Sequence, residues 1–318
     1  MARLSTADIA SLVKLCSGGV AQDVDLSSIS QWRIGGRADV IVRPTSHDEV
    51  MRLMDWFRGK GIEPLVIGLT STLLFSDDGL RMPCIQIGTG MADVRIEGTT
   101  IHAEAGVWVP GFARRLMKNG LTGVEHICGI PGTLGGLVCM NGGSQRKGIG
   151  THVASVRSVT RFGREVVRDW TACGFAYRRS VYQTNSEVIT EVTLQLQAGV
   201  RDEIRHEMRG ILASRRKKFP RKQPNCGSVF KSDPAMYDEI GPPGAAIEKV
   251  GLKGAREGGA LVSPFHANFI VNTGSATARD VLTLLRRVSD AVEKTTGYRM
   301  ATEVLSVSAD GRLSTLHP

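Results

Sequence analysis

A glycine-rich run in the middle of the chain constrains the fold more than any other feature. Residues 129–144 read GIPGTLGGLVCMNGGS and contain six glycines. Glycine lacks a Cβ and reaches positive φ, so backbone here can approach a ligand closely. Successive N–H groups in such turns also bind anions such as pyrophosphate. Because apolar side chains interrupt the run and β-prone segments flank it, we predict a packed loop against a phosphate-bearing ligand; a plain tight-turn loop is the open alternative.

Two familiar nucleotide-binding motifs are excluded in this run. No G-x-G-x-x-G opens a helix with an acidic residue at the right distance after it, as a Rossmann fold requires. No Gly-Lys-Ser/Thr ends the run, as a P-loop requires. The sequence therefore predicts a nucleotide site of another type.

Length and composition indicate a multidomain protein of the globular class. A chain of 318 residues predicts two or three domains. Its 42% hydrophobic and 22% charged residues are typical of a soluble protein. No apolar run reaches the length of a membrane span and the first residues lack a signal-peptide core, so we expect a cytoplasmic location and no membrane partner. The six cysteines show no CxxC spacing, which favours buried free thiols.

The chain is basic, with a net charge of +9. Nucleic acid is one possible partner for such a chain, but aromatic residues, at 5%, are not interleaved with the cations. The one dense basic run is RRKKFPRK at 215–222. It fits either the end of a helix, where cations are favourable, or a local field that attracts a diphosphate substrate.

Hydrophobic periodicity predicts a small α+β unit at the start of the chain, mainly strands from residue 84 onward, and both helices and strands in the last third. We expect a capping box at Ser46 and Glu49 and a short buried strand at 65–67 followed by a polar turn. A composition shift near residue 200 marks a domain boundary. The remaining predicted elements are helices at 5–16, 110–119, 202–218 and 278–295, a hairpin over 153–170, and strands at 188–196 and 303–307.

Three polar positions stand where structure alone does not need them. Ser228, which follows a glycine near cations, can donate a proton to a basic reaction centre; an ST-turn is the alternative. The guanidinium of Arg178 suits a substrate carboxylate, and an ordinary surface arginine is the alternative. Glu303 opens the predicted last strand as a further candidate, and an ordinary edge charge is the alternative.

Metal chemistry is not indicated by the sequence. There is no H-E-x-x-H and no Cys/His spacing typical of zinc. His266 stands between apolar and aromatic neighbours, which predicts a packed structural histidine. We therefore expect no metal.

Taken together, these segments resemble one family, the UDP-N-acetylenolpyruvoylglucosamine reductases (UDP-N-acetylmuramate dehydrogenases) of peptidoglycan precursor synthesis. The resemblance covers about residues 30–307, and its motifs occur in the family's order. They are IGGRA at 34–38, GIPGTLGG at 129–136, NGG at 141–143, YRRS at 177–180, GSVFK at 227–231, GLKG at 251–254, GGA at 258–260, HANFIVN at 266–272, ATA at 276–278 and EV at 303–304.

The resemblance implies a two-part FAD-binding domain of the PCMH type, with subdomains at 1–83 and 84–198, followed by an α+β domain for the UDP-sugar at 199–318. It implies FAD as cofactor, NADPH as hydride donor and a monomer. It also implies that Ser228 protonates the substrate, that Arg178 and Glu303 stabilise the charge that forms, and that Lys231 and Lys253 bind the substrate. The cofactor would contact Gly35, Gly68, Ser71, Gly129, Gly132, Thr133, Gly135, Gly136 and Asn141.

The chain departs from the family's pattern at a few positions. Thr70 stands where a glycine is usual, and positive φ there would strain a β-branched residue. Arg179 replaces an aspartate, Ser232 an asparagine, and Ser30-Gln31 a pair of threonines. No long insertion follows residue 199, which indicates the family's shorter subclass. Open alternatives are a paralogue that reduces a related UDP-sugar enol ether, an idle flavin- or nucleotide-binding protein, and, on charge alone, a nucleic-acid binder.

Overall fold

The computed structural model describes residues 4–220 and 222–315, so Arg221 of the predicted basic run lies outside the described residues. The α-helices are α1 (Thr6–Leu15), α2 (Leu26–Ile29), α3 (His47–Gly59), α4 (Val109–Lys118), α5 (Leu134–Cys139), α6 (Arg201–Lys218), α7 (Pro234–Tyr237), α8 (Pro243–Lys249) and α9 (Ala278–Thr296). The strands are β1 (Val20–Asp25), β2 (Arg37–Val42), β3 (Leu65–Ile67), β4 (Leu73–Phe75), β5 (Cys84–Gln86), β6 (Val94–Glu97), β7 (Thr100–Glu104), β8 (Leu121–Thr122), β9 (Val153–Val159), β10 (Glu165–Asp169), β11 (Val188–Gln195), β12 (Gln197–Ala198), β13 (Arg256–Glu257), β14 (Ala260–Val262), β15 (Ile270–Asn272), β16 (Leu305–Val307) and β17 (Leu313–Ser314).

The N-terminal part is a small sheet in the order β1-β2-β5-β3. β2, β5 and β3 are parallel, and β1 lies antiparallel at the edge. α3 connects β2 to β3 and buries Val50, Leu53 and Phe57, as its spacing predicts. Only half of the predicted capping box forms. Ser46 accepts a hydrogen bond from the N–H of Glu49, but the Glu49 carboxylate accepts from the N–H of Thr45 and the hydroxyl of Ser17 instead of from the N–H of Ser46.

The second part is a five-stranded antiparallel sheet in the order β10-β9-β11-β7-β6. β9 and β10 form the predicted hairpin. α4 begins beside Pro110 and ends at Gly120, which has φ +67°. Three side chains of α6 enter the same core as α4: Ile204, Met208 and Ile211. The first helix after residue 199 therefore packs on the second part, and the division of the chain at 83/84 and 198/199 remains a prediction.

The third part is a three-stranded sheet, β13-β14-β15, covered by α9. α9 has a complete capping box between Thr277 and Asp280 and ends at Gly297, which is left-handed at φ +72°. Its apolar residues at helical spacing are buried, namely Val281, Leu284, Leu285, Val288 and Val292. A fully buried indole from the N-terminal part joins this core: Trp32 donates its Nε1–H to the carbonyl of Ile270 at 2.8 Å.

The closing strand returns to the beginning of the chain. β16 pairs in parallel with β4, and β17 adds to it on its other side. The predicted strand over 303–307 was therefore too long, because Glu303 pairs with a different segment and the ladder to β4 starts only at Leu305. All six cysteines are free thiols, and Cys139 alone among them is partly exposed. Among the described residues, no helix combines the length and the apolar character needed to cross a bilayer.

One buried histidine predicts a pH dependence of stability. His126 is 1% exposed, and neither ring nitrogen has a hydrogen-bond partner among the described residues. Burial, with His152 and Lys147 nearby, lowers its pKa to about 4. The unfolded chain binds a proton on this histidine near pH 6.5, and the folded chain binds it only near pH 4. The part of the free energy of unfolding that depends on His126 is therefore fully present above pH 6.5 and is lost as the pH falls towards 4.

We therefore expect the free energy of unfolding to drop by roughly 3 kcal/mol more in the wild type than in His126→Phe between pH 7.5 and pH 4. Urea unfolding of both proteins at several pH values measures this difference. Parallel pH profiles for the two proteins would contradict the assignment.

Candidate active site

The glycine-rich run contains a short helix, so the prediction of a loop throughout 129–144 is wrong. Thr133 caps α5, and its Oγ1 accepts a hydrogen bond from the N–H of Gly136 at 3.3 Å. Leu134, Leu137 and Val138 are buried and lie three or four residues apart, which is helical spacing. The high glycine content concealed this periodicity because glycine is a poor helix former.

The glycines of this run serve mainly by having no side chain. The N–H groups of Leu134 and Gly135 already donate to the carbonyls of Val107 and Ala105, so the start of α5 does not offer them to an anion. A Cβ at Gly135 would lie 2.8 Å from that of Ala105. Gly132 has φ +151°, and a Cβ there would lie 3.4 Å from the hydroxyl oxygen of Ser71. The run is therefore pressed against its neighbours, as predicted for a packed segment.

A cavity of about 970 Å³ opens between the first and second parts of the molecule. One wall consists of Gly68, Thr133, Gly135 and Gly136. A Cβ at Gly68 would lie only 2.3 Å from Thr133 Oγ1, so the wall requires bare backbone there. Other walls come from segment 182–189 and from the β16–β17 hairpin. The volume is that of a cofactor site, and the bare wall fits an elongated nucleotide that must approach backbone closely.

The turn after β3 shows how the chain accommodates Thr70. Its φ is +55°, as expected for a position where glycine is usual, and the residue is buried. Its hydroxyl donates to the carbonyl of Ile29 at 3.1 Å and accepts from the N–H of Gln31 at 3.3 Å. Two hydrogen bonds to otherwise buried backbone thus offset the strain of a β-branched residue in this region.

This arrangement predicts that Thr70→Val destabilises the protein by about 1–3 kcal/mol, because two backbone groups lose their partner while the strain remains. Thr70→Ser keeps the hydroxyl and serves as the matched control, with a smaller change. Denaturant unfolding of the three proteins measures the difference. Equal stability of Thr70→Val and the wild type would remove the hydroxyl from this role.

Two of the predicted catalytic residues form an ion pair near the cavity. Arg178 Nε lies 2.7 Å from Glu303 Oε1, and the side chains are only 20% and 13% exposed. Glu303 precedes Leu305, a cavity wall residue, by two positions. Arg178 itself is left-handed at φ +53°, in a turn closed by paired hydrogen bonds between Ala176 and Arg179. Segments more than a hundred residues apart thus meet at one charged site.

Burial dominates the protonation of Glu303. Removal from solvent raises the pKa of this carboxyl above its usual value, and the cations of Arg178 and Lys231 offset part of the rise. The pair therefore holds a fixed guanidinium beside a carboxyl that takes up a proton more readily than an exposed one. A partly buried carboxyl with a perturbed pKa and a specific charged partner is typical of functional sites.

The third predicted catalytic residue lies in the segment that pairs with Glu303. The Glu303 N–H donates to the carbonyl of Val229 at 2.8 Å, and the Lys231 N–H donates to the carbonyl of Ala301 at 2.9 Å. Ser228, which precedes Val229, is partly exposed, and its hydroxyl has no hydrogen-bond partner among the described residues. The ST-turn alternative therefore has no support within the described chain, and the hydroxyl is free to meet a ligand.

Sequence reasoning missed the residue that supports this segment. Asn268 is buried, accepts a hydrogen bond from the N–H of Phe230 and donates one to the carbonyl of Phe230. Its own carbonyl accepts from Val229. Asn268 stands in a motif quoted above, but a single asparagine gives no local signal of a partner 38 residues away. His266 beside it is packed between Phe219 and Phe269, as predicted.

The other predicted site residues make contacts within the protein that do not themselves indicate a cofactor or a substrate. Gly35 faces Phe75 and Leu26, and Gly129 faces the side chain of Arg215, so packing explains both glycines. Lys253 forms an ion pair with Glu248 at 2.9 Å. Their contacts with cofactor or substrate stay predictions, as do the roles of Ser228, Arg178 and Glu303. Among the described residues, no three His, Cys, Asp or Glu side chains are grouped to hold a metal.

A cavity of cofactor size with a glycine-rich wall, and a largely buried arginine–carboxylate pair connected to its lining through Gln183, are typical of an enzyme that uses a bound cofactor. Comparisons with known proteins make this specific. Residues 38–168 match the family model described as an FAD-binding domain. Residues 219–307 match the C-terminal domain of UDP-N-acetylenolpyruvoylglucosamine reductase.

Relatives and a solved structure agree with these models. The chain is 44% identical to UDP-N-acetylenolpyruvoylglucosamine reductase 1 of Corynebacterium glutamicum, over 93% of this chain and 89% of the relative. It is 39% identical to the reductase of Moorella thermoacetica, over 88% of this chain and 90% of the relative. The crystal structure of the reductase from Thermus caldophilus superposes with a TM-score of 0.76 at 27% identity, covering 91% and 98% of the two chains.

The chain belongs to the UDP-N-acetylenolpyruvoylglucosamine reductase family. The predicted fold class is confirmed: an FAD-binding domain is followed by an α+β domain. FAD is therefore the cofactor that the cavity must accommodate.

Proposed function

We propose that this protein reduces UDP-N-acetylglucosamine enolpyruvate to UDP-N-acetylmuramate in peptidoglycan precursor synthesis, with FAD as cofactor and NADPH as hydride donor. The observation that carries the proposal is the Arg178–Glu303 pair, set against the segment of Ser228 in a chain of this family. Gly68, Gly132, Thr133, Gly135 and Gly136 would hold FAD, with Ser71 beside them. When bound, FAD supplies reversible two-electron chemistry, accepting hydride from NADPH and passing it to the double bond of the substrate.

The protein's own residues must then stabilise the negative charge that hydride addition leaves on the substrate. Hydride addition at the terminal CH2 of the enol ether leaves an electron pair on the neighbouring carbon, which spreads into the attached carboxylate. The Arg178 guanidinium, held beside Glu303, stabilises that charge in a partly desolvated site. Glu303, whose pKa is raised by burial and held down in part by Arg178 and Lys231, fixes that guanidinium in place.

Ser228 completes the reaction as the proton donor. Its unpartnered hydroxyl transfers a proton to the carbon beside the carboxylate, which converts the double bond and the added hydride into a saturated lactyl ether. Serine is a weak acid, but a carbanion is a strong base, so the transfer is downhill. Solvent then restores the hydroxyl proton.

The substrate's diphosphate accounts for the basic residues nearby. Lys231 lies close enough to Glu303 to affect its charge. The end of α6 carries Arg215, Arg216, Lys217 and Lys218 in its last turn. These cations create a field that attracts a doubly charged ligand. Lys253 remains a candidate substrate contact, and a monomeric, cytoplasmic protein without nucleic-acid partners remains the expectation.

Purification followed by product analysis tests the function. We expect the protein to bind FAD and, with NADPH and UDP-N-acetylglucosamine enolpyruvate, to yield UDP-N-acetylmuramate by mass spectrometry. Flavin binding with product formed only from a different UDP-sugar enol ether would indicate the paralogue. NADPH oxidation without any sugar product, or a protein without flavin, would contradict the proposal.

A further inference from the structure

We propose that Asn141 is a positioning residue for Arg178, and that the last residues of α5 and those just after it form a platform that fixes the catalytic turn. Throughout this subsection, the platform means residues 139–141, and the turn means residues 176–179. The inference builds on the proposed function, because it concerns the residue that meets the substrate's charge. It differs from the predicted role of Asn141 as a direct cofactor contact.

Arg178 needs external support because its backbone is strained. A non-glycine residue at φ +53° occupies a sparsely populated region. Such conformations persist only where the surroundings over-determine them. Two backbone hydrogen bonds between Ala176 and Arg179 close the turn itself. They do not fix the turn relative to the rest of the protein, so other contacts must do this.

The platform supplies two of those contacts directly, and a third through Gln183. Asn141 Nδ2 donates to the carbonyl of Ala176 at 2.8 Å. The Ser180 hydroxyl donates to the carbonyl of Cys139 at 2.6 Å. Gln183 Nε2 donates to the carbonyl of Arg178 at 3.1 Å and lies 3.3 Å from the sulfur of Met140. The turn is therefore attached before, within and after Arg178.

Asn141 is the residue of the platform whose side chain is committed on both sides. Its Oδ1 accepts from the N–H of Gly150 at 2.9 Å while its Nδ2 bonds Ala176. A Cβ at Gly148 or Gly150 would lie 2.6 or 2.8 Å from that Oδ1, so two glycines make room for the amide. Asn141 is itself left-handed, at φ +41°, which asparagine tolerates better than most residues.

The platform overlaps the wall of the cavity. Cys139, the last residue of α5, and Met140, which follows it, line the cavity together with Gly135 and Gly136 of α5. One helix thus contributes both to the wall for FAD and to the seat of Arg178. This continuity gives a physical reason why Asn141, just after α5, matters for the second half of the reaction rather than for holding the cofactor.

The test compares Asn141→Asp with the wild type and with Asn119→Asp, a matched control at an exposed asparagine that caps α4. Aspartate keeps the acceptor for Gly150 but turns the donor towards Ala176 into a second acceptor. We expect Asn141→Asp to keep FAD and its reduction by NADPH within about two-fold. Reoxidation by the UDP-sugar enol ether should slow by roughly 10- to 100-fold, a loss typical of a displaced positioning group.

A second readout does not depend on turnover. Displacing Arg178 removes the cation that lowers the pKa of Glu303, so the titration of that carboxyl should move to higher pH in Asn141→Asp. Carbon-13 NMR of labelled glutamate follows it, with the Glu303 signal assigned by its absence in Glu303→Gln. The same upward shift should appear in Arg178→Gln and should be absent in Asn119→Asp.

Loss of FAD or equal slowing of both half-reactions in Asn141→Asp would overturn the proposal and restore Asn141 to cofactor binding. An unchanged Glu303 titration would overturn it as well. If the wild type proved inactive with the UDP-sugar enol ether, the function proposed above would fail, whereas the NMR shift would still report on the platform.

Discussion

Ser228→Ala should retain FAD and its reduction by NADPH but lose reoxidation by the UDP-sugar enol ether by about 10²- to 10⁴-fold. The hydroxyl has no partner among the described residues, so its removal leaves no protein group unsatisfied and the fold should be preserved. The loss follows because the carbon that gains the electron pair has no other assigned acid. Stopped-flow absorbance of the flavin, recorded anaerobically for each half-reaction, measures both rates.

Ser228→Cys provides the matched variant for this result. The thiol keeps a transferable proton at the same position, so it should recover part of the rate that alanine loses. Unchanged reoxidation in Ser228→Ala would remove the hydroxyl from the acid role and would leave solvent as the donor.

Arg178→Gln should lower the same step by roughly 10²- to 10³-fold, the effect of removing one preorganised charge from an active site. It should also leave Glu303 without its nearest cation. Because Arg178 opposes the burial that raises the pKa of Glu303, its loss should raise that pKa further. The limb of the pH–rate profile assigned to Glu303 should then move to higher pH, and Glu303→Gln should abolish the limb.

Arg179→Gln is the natural control, since Arg179 is the exposed neighbour in the same turn. It stands where the family usually has an aspartate, and its loss should change neither rate by more than a few-fold. Equal effects from both arginine variants would mean that the turn, and not the Arg178–Glu303 pair, carries the charge requirement.

Local signals predicted much of the fold. The α9 helix, its cap at Thr277 and its buried stripe follow from periodicity and capping chemistry alone. The β9–β10 hairpin likewise depends on a short local turn. Where short-range rules compete with tertiary contacts they fail. Glu49 turns from its predicted capping role to Ser17 because a partner 32 residues away offers a better-placed donor.

The candidate site was only partly predictable. Serine, arginine and glutamate were singled out by residue type and by resemblance, but their meeting depends on pairings that no local pattern encodes. The ladder of β16 with β4 joins residues more than 200 positions apart. The hydroxyl bonds of Thr70 and the double hydrogen bond of Asn268 are similar cases, since each compensates for a demand that appears only in the folded chain.

Anaerobic single turnover of the FAD-loaded wild type is the most direct test of the central claim, that Ser228, Arg178 and Glu303 complete the reduction of a UDP-sugar enol ether beside the flavin. Protein first reduced with NADPH is mixed with UDP-N-acetylglucosamine enolpyruvate. We predict full recovery of the oxidised flavin absorbance with formation of UDP-N-acetylmuramate, and a recovery that is slowed in Ser228→Ala and in Arg178→Gln. A reduced flavin that stays reduced in the presence of this substrate, or one that both variants reoxidise at the wild-type rate, would contradict the account.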